Sequence, residues 1–147
     1  MTAADLPELT FERLEVGRVY ADNEVPVSAE LIGAFCRAVD TEHSAYRRGQ
    51  PADGPFQGVI APPSLPVMLT PPRVSMRDWR IPPGAVHVAQ EWESRRPVRP
   101  EDVLRVRIVL REKSERAGRR RVVFDSEFHD TRGECVARGR MTLLWPA

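Results

Sequence analysis

The sequence predicts an α+β fold: an antiparallel β-sheet wrapped around one long central helix, residues ~28–39. Three observations carry this. An apolar stretch near the start keeps helical spacing, the second half alternates between apolar and polar residues with short turns, and proline punctuates what lies between them. At 147 residues the chain is expected to form a single domain, 1–147, large enough to bury a real core.

Residues 1–9, opening "MTAADLPE", are expected to fray. "FERLEVGRVY" reads as a lead-in with a turn at Gly17, running on into "ADNEVPVS". Ser28 is a good N-cap, because its hydroxyl can accept from a free amide of the first turn, and Glu30 suits the positive end of the helix dipole. Beyond it Leu31, Ile32, Phe35, Ala38 and Val39 fall on one apolar face, predicted to be buried, which puts Asp40 at or just past the helix end. Residues 50–84 contain "QPADGPF", "APPSLP", "TPPR" and "IPPG"; proline is excluded from helix interiors and central strands, so this region is predicted to be mostly loop. The exception is "SLPVMLT", where Ser64 can cap a short helix and Pro66 falls in its tolerant first turn.

In the second half, "AVHVAQEWESRRPV" alternates. "DVLRVRIVLRE" sets Leu104, Val106, Ile108 and Leu110 against Arg105, Arg107 and Arg111, and "RRVVFDSEFHD" and "ECVARGRMTLLW" follow. These read as antiparallel strands joined by turns at Glu115–Gly118 and Asp130–Gly133. The strand through "HVAQEWES" is expected to expose its backbone edge and Trp92 unless a second subunit covers it.

A net charge of +1 with both signs interspersed excludes a dedicated nucleic-acid binder. No run approaches the ~18–20 apolar residues of a membrane span, and the start of the chain lacks the pattern of a signal peptide, so a cytoplasmic location is expected. Two cysteines, Cys36 and Cys135, make neither a disulfide framework nor a metal cluster, and His87 and His129 have no metal-ligand company. Ser64 lacks the flanking glycines and partnered base of a nucleophile elbow. "RAGRRR" (Arg116 to Arg121) reads as a solvated turn, with docking of phosphates or an acidic carrier as the alternative. The stretch that concentrates acid–base groups is "CRAVDTEHSAYRRG", with Asp40, Glu42, His43 and Tyr46.

The ordered set "FERLEVGRVY", "AFCRAVDTEHSAY", "GVIAPPSLP", "QEWESRRPVRPEDVLRVR" and "DTRGECVARGRMTLL" resembles the MaoC-like branch of the hotdog superfamily, and within it the N-terminal-type, non-catalytic half-domain. "GVIAPPS" is similar to the proline-rich loop of that half-domain. "RRPVRPEDVL" is similar to the family's R-P-x-x-x-G-D-x-L, with Glu101 where glycine is usual. The resemblance implies two hotdogs paired, with an acyl thioester of CoA or acyl-carrier protein bound at their interface. It implies (R)-3-hydroxyacyl/2-enoyl hydratase or dehydratase chemistry, no cofactor and no metal.

The family signature, G-D-x-N-P-x-H, supplies an acid–base pair for water addition. Aligning Asp40 with its aspartate puts Ala45 at its histidine. Asp40 and His43 are then the candidate catalytic residues of a degenerate dyad. Tyr46, Phe35, Ser64, Leu65, Met68 and Leu69 are candidate substrate contacts, four of them (Phe35, Leu65, Met68 and Leu69) lining an apolar slot. Three functions follow from the resemblance: a substrate-holding subunit paired with a catalytic MaoC-like partner, a stand-alone homodimeric dehydratase of fatty-acid or polyketide metabolism using Asp40 and His43, and a non-catalytic acyl-binding hotdog. A thioesterase fits less well, since the helix carries no carboxylate between residues 31 and 39.

Overall fold

A computed structural model describes residues 6–47, 49, 51–69 and 78–147. Its strands are β1 (Val19–Pro26), β2 (Val86–Ser94), β3 (Val103–Arg116), β4 (Arg119–His129) and β5 (Cys135–Trp145), and its α-helix is α1 (Ala29–Ala38). The strands form one five-stranded antiparallel sheet in the order β1-β3-β4-β5-β2, the hotdog arrangement that the resemblance implied.

Alternation explains which face packs. Leu104, Val106, Ile108 and Leu110 of β3 are at most 1% exposed, as are Val122, Phe124 and Phe128 of β4, and together they line the face toward α1. On the opposite face charged residues pair across strands, with Arg105 on Asp22 (2.6 Å) and Arg140 on Asp125 (2.7 Å). The β3–β4 connection is a two-residue turn with both central residues left-handed, Ala117 (φ 47°) and Gly118 (φ 72°), the turn whose twist matches a hairpin. Within the arginine cluster at that tip, Arg120 pairs with Glu115 and Glu12, and Arg121 with Glu112. The β4–β5 turn is closed by Asp130, whose Oδ1 accepts from the amides of Arg132 and Glu134, both at 2.9 Å.

Three expectations need correction. Residues 6–9 are tied down: Glu8 bridges to Arg80, the Leu9 amide donates to the Arg80 carbonyl at 2.9 Å, and Leu9 is 1% exposed; residues 1–5 lie outside the described residues. Residues 19–26, read only as a connection, form β1; Asp22, Asn23, Glu24 and Pro26 interrupt the apolar pattern there because this is an edge strand, half in water. The helix face expected to be buried is covered only in part. Ile32 alone is buried; Leu31, Phe35 and Cys36 are half-covered against the core, Ala38 is exposed, and Val39 just past the end is 51% exposed.

Candidate active site

Ser28 caps α1 as expected, its Oγ accepting from the Leu31 amide at 3.0 Å. At the other end the helix closes on a left-handed residue. The Thr41 amide reaches back to the Cys36 carbonyl (3.0 Å) and the Asp40 amide to that of Arg37 (3.4 Å), while Asp40 itself takes φ 51°. This is the pattern in which glycine is the usual residue past a helix, since it carries no Cβ to clash. Asp40 is exposed.

The chain then turns through a 3-10 segment, Ser44–Tyr46. His43 Nδ1 accepts from the Ala45 amide at 3.2 Å, which leaves the proton of the neutral ring on Nε2. The exposed imidazole lies against two other rings, Tyr46 at 5.2 Å and Phe56 at 5.8 Å between centroids. Ala45 is 1% exposed, its methyl turned into the protein, and its carbonyl accepts from the Ile60 amide at 3.0 Å. Tyr46 is half-buried, and Glu42 pairs with Arg47 at 3.0 Å.

The loop facing this turn, residues 51–60, contributes no buried residue. Gln57 (φ 53°) and Gly58 (φ 98°) reverse its direction, and its carbonyls point at one arginine. Arg99 donates through Nη1 to Gln57 O (2.8 Å) and Val59 O (3.5 Å) and through Nη2 to Phe56 O (3.0 Å). Sequence reasoning missed both Arg99 and Phe56, which no local pattern joins, since the contacts span about forty residues of chain.

Past the loop, Ser64 is exposed and its carbonyl accepts from the Val67 amide, opening a short 3-10 segment, Pro66–Leu69. Leu65 and Leu69 are in the hydrophobic core, 1% and 5% exposed, while Met68 is 53% exposed and Phe35 packs half-covered on the core's rim. The expected slot is therefore divided in this conformation, with Leu65 and Leu69 already used as core and Met68 in solvent. Both cysteines are free, and burial pushes the Cys36 thiol up from its ordinary value. Among the described residues no group of three or more His, Cys, Asp or Glu is arranged to hold a metal, and no helix is long and apolar enough to cross a membrane.

Residues 15–138 match the family described as FAS1-like, dehydratase domain region. The fold is similar to that of the R-hydratase PhaJ1 of Pseudomonas aeruginosa (20% identity, TM-score 0.75, covering 96% of this chain and 88% of that one). It is also similar to a MaoC-like dehydratase of Rhodospirillum rubrum (22%, TM-score 0.75, covering 95% and 98%). A third similar structure is the C-terminally truncated HadBC (3R-hydroxyacyl-ACP dehydratase) complex of Mycobacterium tuberculosis (25%, TM-score 0.72, covering 88% of this chain and 96% of that one). No curated protein matches the sequence.

Proposed function

From the premise that this chain belongs to the FAS1-like dehydratase-region family, within the hotdog hydratases and dehydratases, we propose that it is the substrate-holding half of a two-subunit (R)-hydratase or dehydratase acting on acyl thioesters. The observation that carries the reading is the left-handed backbone of Asp40. Glycine is the residue that most readily takes a left-handed conformation past a helix end, so we match the glycine of the signature G-D-x-N-P-x-H to Asp40, the residue that takes it here. The register therefore moves one residue from the alignment of aspartate with aspartate. Thr41 takes the place of the acid, His43–Ser44 of N-P, and Tyr46 of the histidine.

A hydroxyl and a phenol do not replace the carboxylate and imidazole that the signature supplies for acid–base chemistry. In the original register the result is the same, since the histidine position is then a buried alanine methyl. Asp40 and His43 have other work in this geometry: one ends the helix, and the other caps the following turn through Nδ1.

The pairing half of the proposal rests on uncovered surface. β2 is an edge strand, and Val86 (53%) and Val88 (49%) on it are exposed, beside Leu144 (37%) of β5. The other edge, β1, is guarded by Asp22, Glu24 and Pro26, as isolated edges usually are. A second hotdog along β2, also covering the open part of the α1 face, would assemble an acyl site between subunits; among similar folds, HadBC is a 3R-hydroxyacyl-ACP dehydratase complex.

The test is turnover of a 2-enoyl-CoA by the purified chain, alone and with a partner bearing an intact signature. The chain alone is expected to be slower by about two to four powers of ten, the contribution of one acid–base side chain. His43→Ala and Asp40→Gly are expected to leave the complex's kcat nearly unchanged. Brisk turnover by the single chain, abolished by His43→Ala, would instead establish a homodimeric enzyme that uses this loop directly.

A further inference from the structure

We propose that Arg99 is a positioning residue for the acyl-thioester site: its guanidinium clamps the loop of residues 51–60 and, through Phe56, sets the place of His43 and Tyr46. The site's function is that of the reading above; the clamp is argued from geometry alone.

Among the described residues, few hydrogen bonds tie the loop to the rest of the fold, which makes Arg99 its main polar anchor. None of residues 51–60 is buried, and several of its backbone hydrogen bonds close only on itself: Gly54 to Pro51, Gln57 to Gly54 and Gly58 to Pro51. It meets the fold through the Ile60 amide on the Ala45 carbonyl, the Phe56 ring on His43, and Arg99 on three carbonyls. Three carbonyls converging on one planar cation require Gln57 and Gly58 to stay left-handed, a conformation that Gln57 does not favour unaided.

Arg99 is itself held from behind. Its amide donates to Asp102 Oδ2 at 2.9 Å, and the same oxygen accepts from Arg96 Nη1 at 3.0 Å. Arg96 Nη2 then reaches Asp130 Oδ2, also at 3.0 Å. A continuous set of charge-assisted bonds thus runs from the β4–β5 turn through Arg96 and Asp102 to Arg99. The loop, the His43 ring and Tyr46 lie beyond it. A lysine cannot replace Arg99, because an ammonium is a point donor and does not present a planar fork to carbonyls on two sides.

Arg99→Ala and Arg99→Lys should both speed amide hydrogen exchange in residues 52–60 while exchange in β3 and β4 stays as in the parent. The His43 ring resonances should move as Phe56 leaves its edge. In the assembled two-subunit enzyme, KM for a 2-enoyl-CoA should rise about tenfold with kcat within about twofold, the split expected when binding geometry is lost and not the acid–base pair. A role confined to stability would lower the melting temperature without that split. Unchanged exchange in residues 52–60 overturns the clamp. Faster exchange with an unchanged KM overturns its bearing on the site. If the parent complex binds no acyl-CoA, the functional reading fails by itself, and exchange and the His43 resonances still decide the clamp.

Discussion

Glu101 and Ala117 both adopt left-handed backbone, with φ 73° and 47°, without being glycine. Glu101 stands where the family pattern R-P-x-x-x-G-D-x-L has glycine, and the turn requires its conformation, since its amide must reach Val27 O at 2.8 Å. A residue with a Cβ gives up roughly 1–2 kcal/mol there. Glu101→Gly and Ala117→Gly should therefore each stabilise, by about 1 kcal/mol at most once glycine's greater unfolded-state entropy is counted. Chemical denaturation should show a higher midpoint at unchanged slope. Asp40→Gly should gain less, because aspartate visits this region more readily. Of these positions, Glu101 was legible as an anomaly in the sequence; at Ala117 the turn was legible but its left-handed backbone was not, because alanine rarely adopts it. The lone lysine was silent too. Lys113 donates to the carbonyls of Phe11 (2.8 Å) and Leu14 (3.0 Å) and lies 4.8 Å from the Phe11 ring centroid, so it pins the lead-in turn to β3. Lys113→Met should cost about 2 kcal/mol, the scale of hydrogen bonds to a charged group, measurable as a lower denaturation midpoint.

At the scale of elements, α1 shows what periodicity can and cannot say. Its cap and its end were legible, because Ser28 and the apolar spacing are local chemistry. The cover over Phe35, Ala38 and Val39 was not, because no part of the described chain supplies all of it. Ser28→Ala should cost about 1 kcal/mol of stability by the usual worth of a cap. The β4–β5 turn makes a prediction in pH. Amides of Glu134 and Arg132, with the Arg96 guanidinium, hold the Asp130 carboxyl from its ordinary 3.8 down to about 2. A group depressed in the folded state contributes stability above its unfolded pKa and loses it as pH falls through the folded one. The contribution is thus complete above about pH 5 and disappears progressively toward pH 2. Melting temperatures followed over that range should fall less steeply for Asp130→Asn than for the parent, from a lower starting value.

For the whole molecule, β3 was legible because its first half alternates cleanly over one buried face, and β2, β4 and β5 because their sequences are rich in strand-forming residues between turn signals, although no residue of β2 is buried. β1 was not, since an edge strand with Asp22, Asn23 and Glu24 has only part of the pattern. The candidate site was legible as a location; the left-handed dihedral at Asp40, on which the proposed register rests, is invisible in composition and spacing. Sedimentation at micromolar concentration, with and without a signature-bearing partner, is expected to show a species heavier than 16.6 kDa. Val88→Lys on β2 should shift that species toward the lighter form while leaving the secondary structure intact, because a charge on an open edge opposes strand addition.

The two rims of the sheet are unlike: β1 carries Asp22, Glu24 and Pro26, whereas the first half of β2 presents exposed Val86 and Val88 ahead of Glu91 and Glu93. A growing fibre needs two adhesive ends on every unit, and this chain presents one. With a second copy of this chain along β2, the composite sheet would be bordered by two β1 rims, so growth would terminate at two members. In the proposed pair the same asymmetry would also oppose polymerisation.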